Sequence, residues 1–285
     1  MVKRLLTAVI CGIFFFLISL GGTSTMNVTN AASTTNPLKT VQDFKIYYGS
    51  PTTSIINKLS SYDMVVIEPH AYTIEQIKKI ETQGTKTIGY ISVIELSSWV
   101  NDFVAKTKEE DYYHQSNGKR VPIPAWNTYL MDISNPHYRQ LLLSEIKAQI
   151  VQKQFDGVFL DTVDDLDHYW NTTPAERTKM REGYEALLKD IKKLYPNLVL
   201  VQNRGFETLQ TNSLPYIDGF LWEDFNKTKL VNNDWGQKWI GILQNYSNNN
   251  NLAVFSVVPT FSSKGYSVTN QFIPSYNKND NYNSW

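Results

Sequence analysis

Short apolar runs alternate with longer amphipathic stretches along the chain from residue 44 onward. Apolar runs of four to seven residues, with few polar positions, are typical of strands buried on both faces of a parallel sheet. The runs predict eight strands, at 44–48, 64–68, 87–92, 128–133, 157–161, 198–202, 219–223 and 252–258. Between them, apolar residues recur at helical spacing over 74–82, 136–154, 173–195 and 235–246.

The strongest helix signal starts at Thr173. This residue, Pro174 and Glu176 match an N-cap, a first-turn proline and a capping glutamate. Apolar residues then continue along one face as far as Leu194, and Pro196 is expected to end the helix.

Strands that alternate with helices predict parallel strands joined by helical crossovers. Eight such units in about 250 residues match an α/β fold of the (β/α)₈ TIM barrel type, formed as a single domain. A doubly wound sheet is the alternative, but Tyr48-Gly49-Ser50-Pro51 stands where a glycine-rich dinucleotide-binding turn would follow the first strand. The tail after Val258 has little helical periodicity, so a final helix is predicted to be short or missing.

The first 32 residues have the features of a secretory signal peptide, with Lys3 and Arg4 ahead of an apolar run over 5–20. This run is short for a membrane span, so we expect cleavage near Ala32, secretion and no stable membrane anchor. Residues 33–40 are predicted to be a flexible leader, and 41–285 the barrel. Cys11, the only cysteine, lies in the signal, so the mature chain would hold neither disulfides nor thiolate sites.

The charge balance argues against one class of partner. The chain has 27 basic and 27 acidic residues and no basic stripe, so a nucleic-acid partner is not expected. Aromatic residues make up 13% of the chain, which suits a protein that packs flat side chains on sugar rings, although core packing is their ordinary role. We expect a monomer whose partner is a polysaccharide.

Polar residues stand where the predicted strands end, and in a parallel barrel these ends build the active site. The residues at these positions are Glu68, Glu95, Asp132, Asp161, Asn203, Arg204, Glu223 and Asp224. Alternate residues of a barrel strand face its axis. Phe159 with Asp161, and Leu221 with Glu223, are therefore predicted to point inward.

Asp161 and Glu223 are the predicted catalytic pair. Two carboxyl groups, one protonated and one ionised, are the minimum needed to hydrolyse a glycosidic bond. We expect Asp161 to act as nucleophile or base and Glu223 as general acid, with either a retaining or an inverting outcome. The residues predicted to bind the substrate are Tyr90, Glu95, Asp132, Asn203, Trp222 and Asp164.

Structural roles compete with these assignments. Taken singly, each of Glu68, Glu95 and Asp132 is explained as well by a structural role as by catalysis. The structural role would be capping a helix or pairing with a lysine. The aromatic residues that flank the acids are Trp126, Tyr129, Trp170, Trp222 and Phe225. Each of these is by default a core residue, but as a group beside the rim they are predicted to be sugar platforms.

No metal site or cofactor is predicted. Asp164, Asp165 and Asp167 lack the ligand spacing of an EF-hand loop, so a solvated loop is the simpler interpretation. The four histidines are His70, His114, His137 and His168. They form no paired-ligand motif, and His70 and His168 are expected along the rim.

Four segments in order resemble the endo-α-1,4-polygalactosaminidases of glycoside hydrolase family 114. These are 155–164 (FDGVFLDTVD), 90–92 followed by Glu95, 129–136 (YLMDISNP) and 220–224 (FLWED). The resemblance implies a barrel hydrolase that cleaves galactosamine-rich polymers, with Asp161 and Glu223 as its catalytic pair. The central segment also resembles the chitinase signature, but Val163 stands where the chitinase acid is found, so a chitinase is not expected.

Two other functions stay open at this point. One is a secreted carbohydrate-binding barrel without turnover, and the other is a metal-dependent phosphodiesterase that uses the acids of 161–167. An acid-lined site would also attract a partly deacetylated, cationic amino-sugar polymer, and salt should weaken that attraction.

Overall fold

The computed structural model of the chain describes residues 36–97, 101–168, 173–279 and 281–285. The predicted signal peptide, including Cys11 and the expected cleavage near Ala32, lies outside these residues, as does Trp170. Thr35–Trp285 forms one compact unit. In the described part of the chain, no helix is both long enough and apolar enough to cross a membrane.

Eight parallel strands form a nearly closed barrel, which confirms the predicted fold class. The strands of the chain are β1 (Phe44–Tyr47), β2 (Met64–Ile67), β3 (Lys86–Ser92), β4 (Glu95–Ser97), β5 (Pro122–Ile123), β6 (Thr128–Leu130), β7 (Gly157–Asp161), β8 (Val199–Asn203), β9 (Gly219–Trp222), β10 (Ala253–Val258) and β11 (Ile273–Tyr276). The barrel order is β1-β2-β3-β7-β8-β9-β10-β11, and a separate antiparallel sheet has the order β4-β6-β5.

Helices connect successive barrel strands. They are α1 (Thr53–Leu59), α2 (Ile74–Glu81), α3 (Asn101–Val104), α4 (Pro136–Glu145), α5 (Pro174–Leu194), α6 (Phe206–Thr208), α7 (Lys227–Leu230), α8 (Asp234–Asn249) and α9 (Phe261–Thr269). The predicted start of α5 is confirmed, because Thr173 and Glu176 form a reciprocal capping box and Pro174 occupies the first turn. The stretch predicted as one helix over 136–154 is α4 followed by a π-helix over Ile146–Val151.

The predicted strand at 128–133 does not belong to the barrel. Only Thr128–Leu130 is extended, and it pairs antiparallel with β4 and β5. Tyr129 is exposed between the buried Thr128 and Leu130. This alternation is typical of a strand with one solvated face, whereas most barrel strands here are buried on both faces. The short sheet is thus an insertion between β3 and β7.

The eighth barrel strand is β11, which sequence patterning missed together with the helix before it. The nine-residue α9 faces the barrel mainly through small polar residues, Ser263 and Ser267, both fully buried. The Ser267 hydroxyl hydrogen bonds to that of Ser256 on β10 at 2.7 Å. Apolar periodicity cannot reveal a helix that packs through serines, so the sequence did not locate α9. At nine residues this helix is short, which is consistent with the expectation of a short or missing final helix.

The inward and outward faces of the barrel strands follow the predicted parity. Phe159 and Leu221 join an apolar cluster drawn from alternate positions of the barrel strands, including Phe44, Ile88 and Phe255. The intervening residues pack in a second cluster with the surrounding helices. Asp161 and Glu223, two positions after Phe159 and Leu221, therefore continue the inward rows at the carboxyl ends of their strands.

Residues 36–40, expected to be part of a flexible leader, are packed against the opposite end of the barrel. Pro37–Thr40 forms a 3₁₀-helix, and Leu38 is fully buried within the inner cluster. The Asn36 side chain donates to the carbonyl oxygens of Asp218 (2.6 Å) and Asn251 (2.7 Å), just before β9 and β10. This segment plugs the amino ends of the strands.

We predict opposite effects on stability for two glycine substitutions. A Cβ on Gly183 of α5 would lie 2.5 Å from the Ile133 carbonyl oxygen, so Gly183→Ala should lower the free energy of unfolding by about 1–3 kcal/mol. A Cβ on the exposed Gly241 of α8 would meet nothing within 4 Å, so Gly241→Ala should raise it by about 0.5–1 kcal/mol. Urea unfolding of both variants checks this, and equal signs would contradict it.

Candidate active site

A cleft of about 850 Å³ opens at the carboxyl ends of the barrel strands. The barrel contributes Tyr48, Glu68, Tyr90, Asp161, Arg204 and Glu223, among others. The small sheet contributes Glu95 and Thr128, with Trp126 just before β6, and α4 contributes Tyr138, Leu142 and Glu145. Asn281, Tyr282 and Asn283 of the carboxy-terminal segment complete the lining.

Asp161 is held by a hydrogen bond to each carboxylate oxygen. The Tyr90 hydroxyl donates to Oδ2 and the Asn203 amide donates to Oδ1, both at 2.7 Å. Burial, reinforced by the charge of Asp161, raises the pKa of Tyr90 well above its usual value, so this hydroxyl stays a donor at neutral pH. The two donors fix the orientation of the carboxylate in the cleft.

Glu223 lies in the same cleft. Burial raises its pKa to about 7, and the negative charge of Asp161 acts in the same direction. Hydrogen bonds from Tyr282 and Asn203 and the positive charge of Arg204 act in the opposite direction. The Tyr282 hydroxyl donates to Glu223 Oε1 at 3.0 Å. Glu223 is therefore protonated over a range in which an ordinary glutamate is ionised.

The side chain of Asn203 joins the two acids. It ends β8, between β7 and β9 in the barrel, is 4% exposed, donates a hydrogen bond to Asp161 at 2.7 Å and lowers the pKa of Glu223. Asn203 does not itself appear in the lining of the cleft. It lies behind the two carboxyl groups and fixes their relative position.

The residues directly after Asp161, Asn203 and Glu223 have a left-handed backbone conformation. The φ angles are 66° for Thr162, 52° for Arg204 and 51° for Asp224. Non-glycine residues adopt this region at a cost, and such strain collects where the surrounding structure fixes an active-site turn. At all three strand ends the chain turns away immediately after Asp161, Asn203 and Glu223.

Tyr90 and Glu95 also lie in the cleft, as predicted for substrate-binding residues. Tyr90 stacks on Phe159 of the inner cluster, with ring centroids 6.3 Å apart. Glu95 is 7% exposed and accepts a hydrogen bond from the Thr128 hydroxyl across the small sheet. Burial raises the pKa of Glu95.

Besides Asn203, three residues predicted to bind substrate, Asp132, Asp164 and Trp222, lie outside the cleft lining and make structural contacts instead. Asp132 accepts from the backbone N–H of Ser134 at 2.9 Å and so closes the turn before α4. Asp164 forms an ion pair with Arg204 at 3.4 Å. Trp222 is 4% exposed and packs against Phe206 at 4.8 Å, because the residue before an inward Glu223 must face outward.

The predicted sugar platforms divide in the same way. Phe225 is fully buried in the core, like Trp222. Trp126 is 75% exposed and lies on the cleft, while Tyr129 is 39% exposed and lies outside its lining, with the Arg120 guanidinium 5.7 Å from its ring. Trp126 is thus the large exposed aromatic side chain that the described cleft offers to a sugar ring.

His70 lines the cleft as predicted, but its partners could not be foreseen. Its Nδ1 lies 2.6 Å from Glu68 and its Nε2 lies 2.8 Å from Glu145 of α4. Hydrogen bonds that the ring donates to Glu145 and to Glu68, in that order of effect, raise the pKa of His70 to about 9. His168 lies outside the cleft lining, with Nδ1 2.8 Å from the Asp164 carbonyl oxygen.

Sequence analysis also missed Tyr48 and the carboxy-terminal segment. The Tyr48 ring contacts Tyr90 at 4.9 Å and Tyr282 at 5.5 Å, edge to face in both cases. No local pattern in the Asn-rich tail marks Tyr282 as a site residue, because its contacts depend on how the barrel closes. The described residues include no group of three or more His, Cys, Asp or Glu arranged to hold a metal ion.

Comparisons with known proteins identify similar chains. The model of glycoside-hydrolase family GH114 matches residues 24–265. The glycoside hydrolase domain of PelA from Pseudomonas aeruginosa is similar in structure, with a TM-score of 0.64 and 18% identity over 83% of this chain and 94% of that one. Ega3 from Aspergillus fumigatus, solved in complex with galactosamine, has a TM-score of 0.61 and 18% identity over 85% and 92%. These likenesses show a shared fold.

A curated relative covers less of the chain. An uncharacterized protein of Methanocaldococcus jannaschii is 26% identical over 156 residues, which are 50% of this chain and 41% of that protein. The match therefore spans less than half of the relative's length.

Proposed function

Because the chain belongs to glycoside-hydrolase family GH114, we propose that it hydrolyses an amino-sugar polysaccharide, with Asp161 and Glu223 as the catalytic carboxyl groups. The family assignment confirms the resemblance stated from the sequence motifs. The roles of individual residues and the substrate are our proposal.

The observation that carries the proposal is the pairing of Asp161 and Glu223 in one cleft, with Asn203 behind both. Glu223, whose pKa is about 7, is the group that holds a proton near neutral pH. Asp161 has both oxygens fixed by hydrogen-bond donors. One acid supplies a proton and the other a carboxylate, as glycoside hydrolysis requires.

In the proposed reaction, Glu223 donates its proton to the glycosidic oxygen while the bond from that oxygen to the anomeric carbon breaks. The carboxylate of Asp161 either attacks the anomeric carbon or removes a proton from an attacking water. In the first case a water, deprotonated by Glu223, later releases the sugar from Asp161. The covalent route returns both acids to their starting states. In the other route Asp161 ends protonated and Glu223 ionised, and proton exchange with solvent restores them. Either route adds one water across the bond.

The charge of the cleft supports a cationic amino sugar as the substrate. Six carboxyl groups line it, from Glu68, Glu95, Glu145, Asp161, Glu223 and Asp224, against the cationic Arg204 and His70. A cleft lined by one sign of charge concentrates ligands of the opposite sign. Galactosamine, the ligand of the structurally similar Ega3, carries such an amine. Trp126 at the rim offers a flat face for a ring.

Salt is expected to weaken hydrolysis of the charged polymer. We predict that kcat/KM on a deacetylated galactosamine polymer falls roughly three- to tenfold as the salt concentration is raised from low to about 0.5 M, because screening shortens the reach of the acidic cleft. The fully N-acetylated polymer, which carries no amine charge, serves as the control. Equal salt sensitivity of the two polymers would contradict an electrostatic preference.

The function is tested by incubating the mature protein with galactosamine-containing and neutral polysaccharides and measuring new reducing ends. We expect products from the galactosamine polymer and their loss in Asp161→Asn and Glu223→Gln. Binding by wild type and both variants without any products would instead indicate a carbohydrate-binding barrel. Activity that a chelator abolishes and a divalent ion restores would favour the phosphodiesterase hypothesis.

An extracellular polymer requires an exported enzyme, so we also propose that residues 1–32 are removed on secretion. Intact-mass analysis of protein from culture medium checks this. A secreted protein that still carried these residues would contradict cleavage.

A further inference from the structure

We propose that residues 281–285, the carboxy-terminal segment, are part of the active site and that Tyr282 is a positioning residue for Glu223. The inference rests on the general-acid role proposed above for Glu223. It adds a residue that lies beyond 24–265, the region matched by the family model.

The segment lies along the seam of the barrel. The edge strands β1 and β11 are neighbours, and the backbone N–H of Tyr48, directly after β1, donates to the Tyr282 carbonyl oxygen at 2.7 Å. This bond places the Tyr282 side chain beside Tyr48, with Tyr90 on the far side of Tyr48. A row of three tyrosines then runs from Glu223 to Asp161, since Tyr282 donates to Glu223 and Tyr90 donates to Asp161.

Trp285 anchors the segment outside the cleft. Its ring contacts Tyr47 at 6.0 Å and Tyr62 at 6.1 Å. The Nζ atoms of Lys45 and Lys58 lie 5.3 and 4.9 Å from the ring, close enough for cation–π attraction. Trp285 is thereby held against β1 and α1, three residues from Tyr282.

The contact with Tyr282 determines which oxygen of Glu223 carries the proton. Tyr282 donates to Oε1, so the proton of the neutral acid is placed on Oε2 and is free to be transferred. Burial keeps the Tyr48 hydroxyl, which also faces the site, protonated, since its pKa is raised well above the usual value. The other charged or polar groups that face Glu223 are Asp161, Asn203 and Arg204, with Asp224 next in the chain.

The test is Tyr282→Phe, with Tyr276→Phe as the matched control. Tyr276 ends β11, stacks on Phe261 at 4.6 Å and lies outside the cleft lining. The Tyr282 hydroxyl stabilises ionised Glu223, so its loss should move the alkaline limb of the pH profile of kcat/KM upward, by roughly one unit. We also expect kcat to fall about tenfold, with KM changed much less. Tyr276→Phe should keep the wild-type profile.

A second variant and a direct titration separate this inference from the proposed function. Trp285→Ala should lower kcat in the same direction as Tyr282→Phe, and Trp285→Phe should restore it. The titration of the Glu223 side-chain carbon, followed by ¹³C NMR and assigned with Glu223→Gln, should shift upward in Tyr282→Phe even if no polysaccharide is cleaved. An unchanged Glu223 titration, or an unchanged pH profile in an active enzyme, would overturn the role of Tyr282. An upward NMR shift in a protein without hydrolytic activity would leave this role standing and overturn the general-acid function.

Discussion

Asp161→Asn is expected to abolish hydrolysis of the polysaccharide, with kcat reduced by about 10³-fold or more. The amide has nearly the shape of the carboxylate but can neither form the bond to the anomeric carbon nor take a proton from water. The substitution also places an amide N–H₂ where Tyr90 or Asn203 now donates to an oxygen. Reducing-end assays on the galactosamine polymer, at matched protein concentrations, measure the loss.

The control for this change lies at the other end of the same strand. Asp156 precedes β7, is exposed, and accepts from the backbone N–H of Thr87 at 2.8 Å. Asp156→Asn makes the same chemical change outside the cleft and should leave kcat within about twofold. Polymer binding retained by Asp161→Asn would confirm that the cleft is intact, whereas residual activity near the wild-type value would rule out Asp161 as the reactive carboxylate.

Sequence patterning predicted the barrel because most of its strands are buried on both faces, and such strands are visible as continuous apolar runs. The same rule failed at both exceptions. The run at 128–133 is apolar enough to imitate a barrel strand, yet its exposed Tyr129 belongs to a two-faced antiparallel strand. Conversely, β11 holds Pro274 and Ser275, and α9 packs through serines, so neither has an apolar signature.

Counting 128–133 as a barrel strand and missing β11 did not change the predicted position of the site. Asp161 ends the fourth barrel strand and Glu223 follows the sixth, rather than the fifth and seventh, but one strand, β8, still separates them. Strand parity then decides which neighbours face the cleft. It correctly predicts that Phe159 and Leu221 face inward. The same alternation predicts that Trp222, between the inward Leu221 and Glu223, faces outward and so cannot bind a sugar in the cleft.

What the sequence could not supply are contacts between distant segments. His70 meets Glu145 across 75 positions, and Glu223 meets Tyr282 across 59. Neither pair can be predicted from sequence spacing. The first depends on the position of α4 after the insertion between β3 and β7, and the second depends on how the barrel closes. These contacts set the protonation of the cleft, so the chemistry of the site follows from the tertiary fold more than from any local motif.

Glu223→Gln is expected to remove hydrolysis and, at the same time, to stabilise the protein above neutral pH. Without an acid at this position the leaving group departs unprotonated, at a cost of about 10²–10⁴-fold in kcat. In wild type, the acid form of Glu223 is required, so kcat/KM should fall about tenfold for each pH unit above its pKa of about 7. This alkaline limb should be absent from any residual activity of the variant.

The stability effect follows from the same raised pKa. Between the ordinary glutamate pKa of 4.5 and about 7, folded wild type keeps a proton that the unfolded chain has lost. The stabilisation linked to that proton is complete below pH 4.5 and is lost as the pH rises through 7, at a cost of about 2–3 kcal/mol by pH 8. Glutamine does not ionise, so the variant should avoid this loss.

Urea unfolding of wild type and Glu223→Gln at pH 5 and pH 8 measures the difference. We expect the two proteins to be similar at pH 5 and the variant to be more stable at pH 8, whereas Glu182→Gln, an exposed change on α5, should show no such pH-dependent gain. A variant equally stable or less stable at pH 8 would mean that Glu223 is not forced to ionise in an unfavourable site. The general acid would then have to be sought elsewhere in the cleft, with Glu95, whose pKa is also raised by burial, as the next candidate.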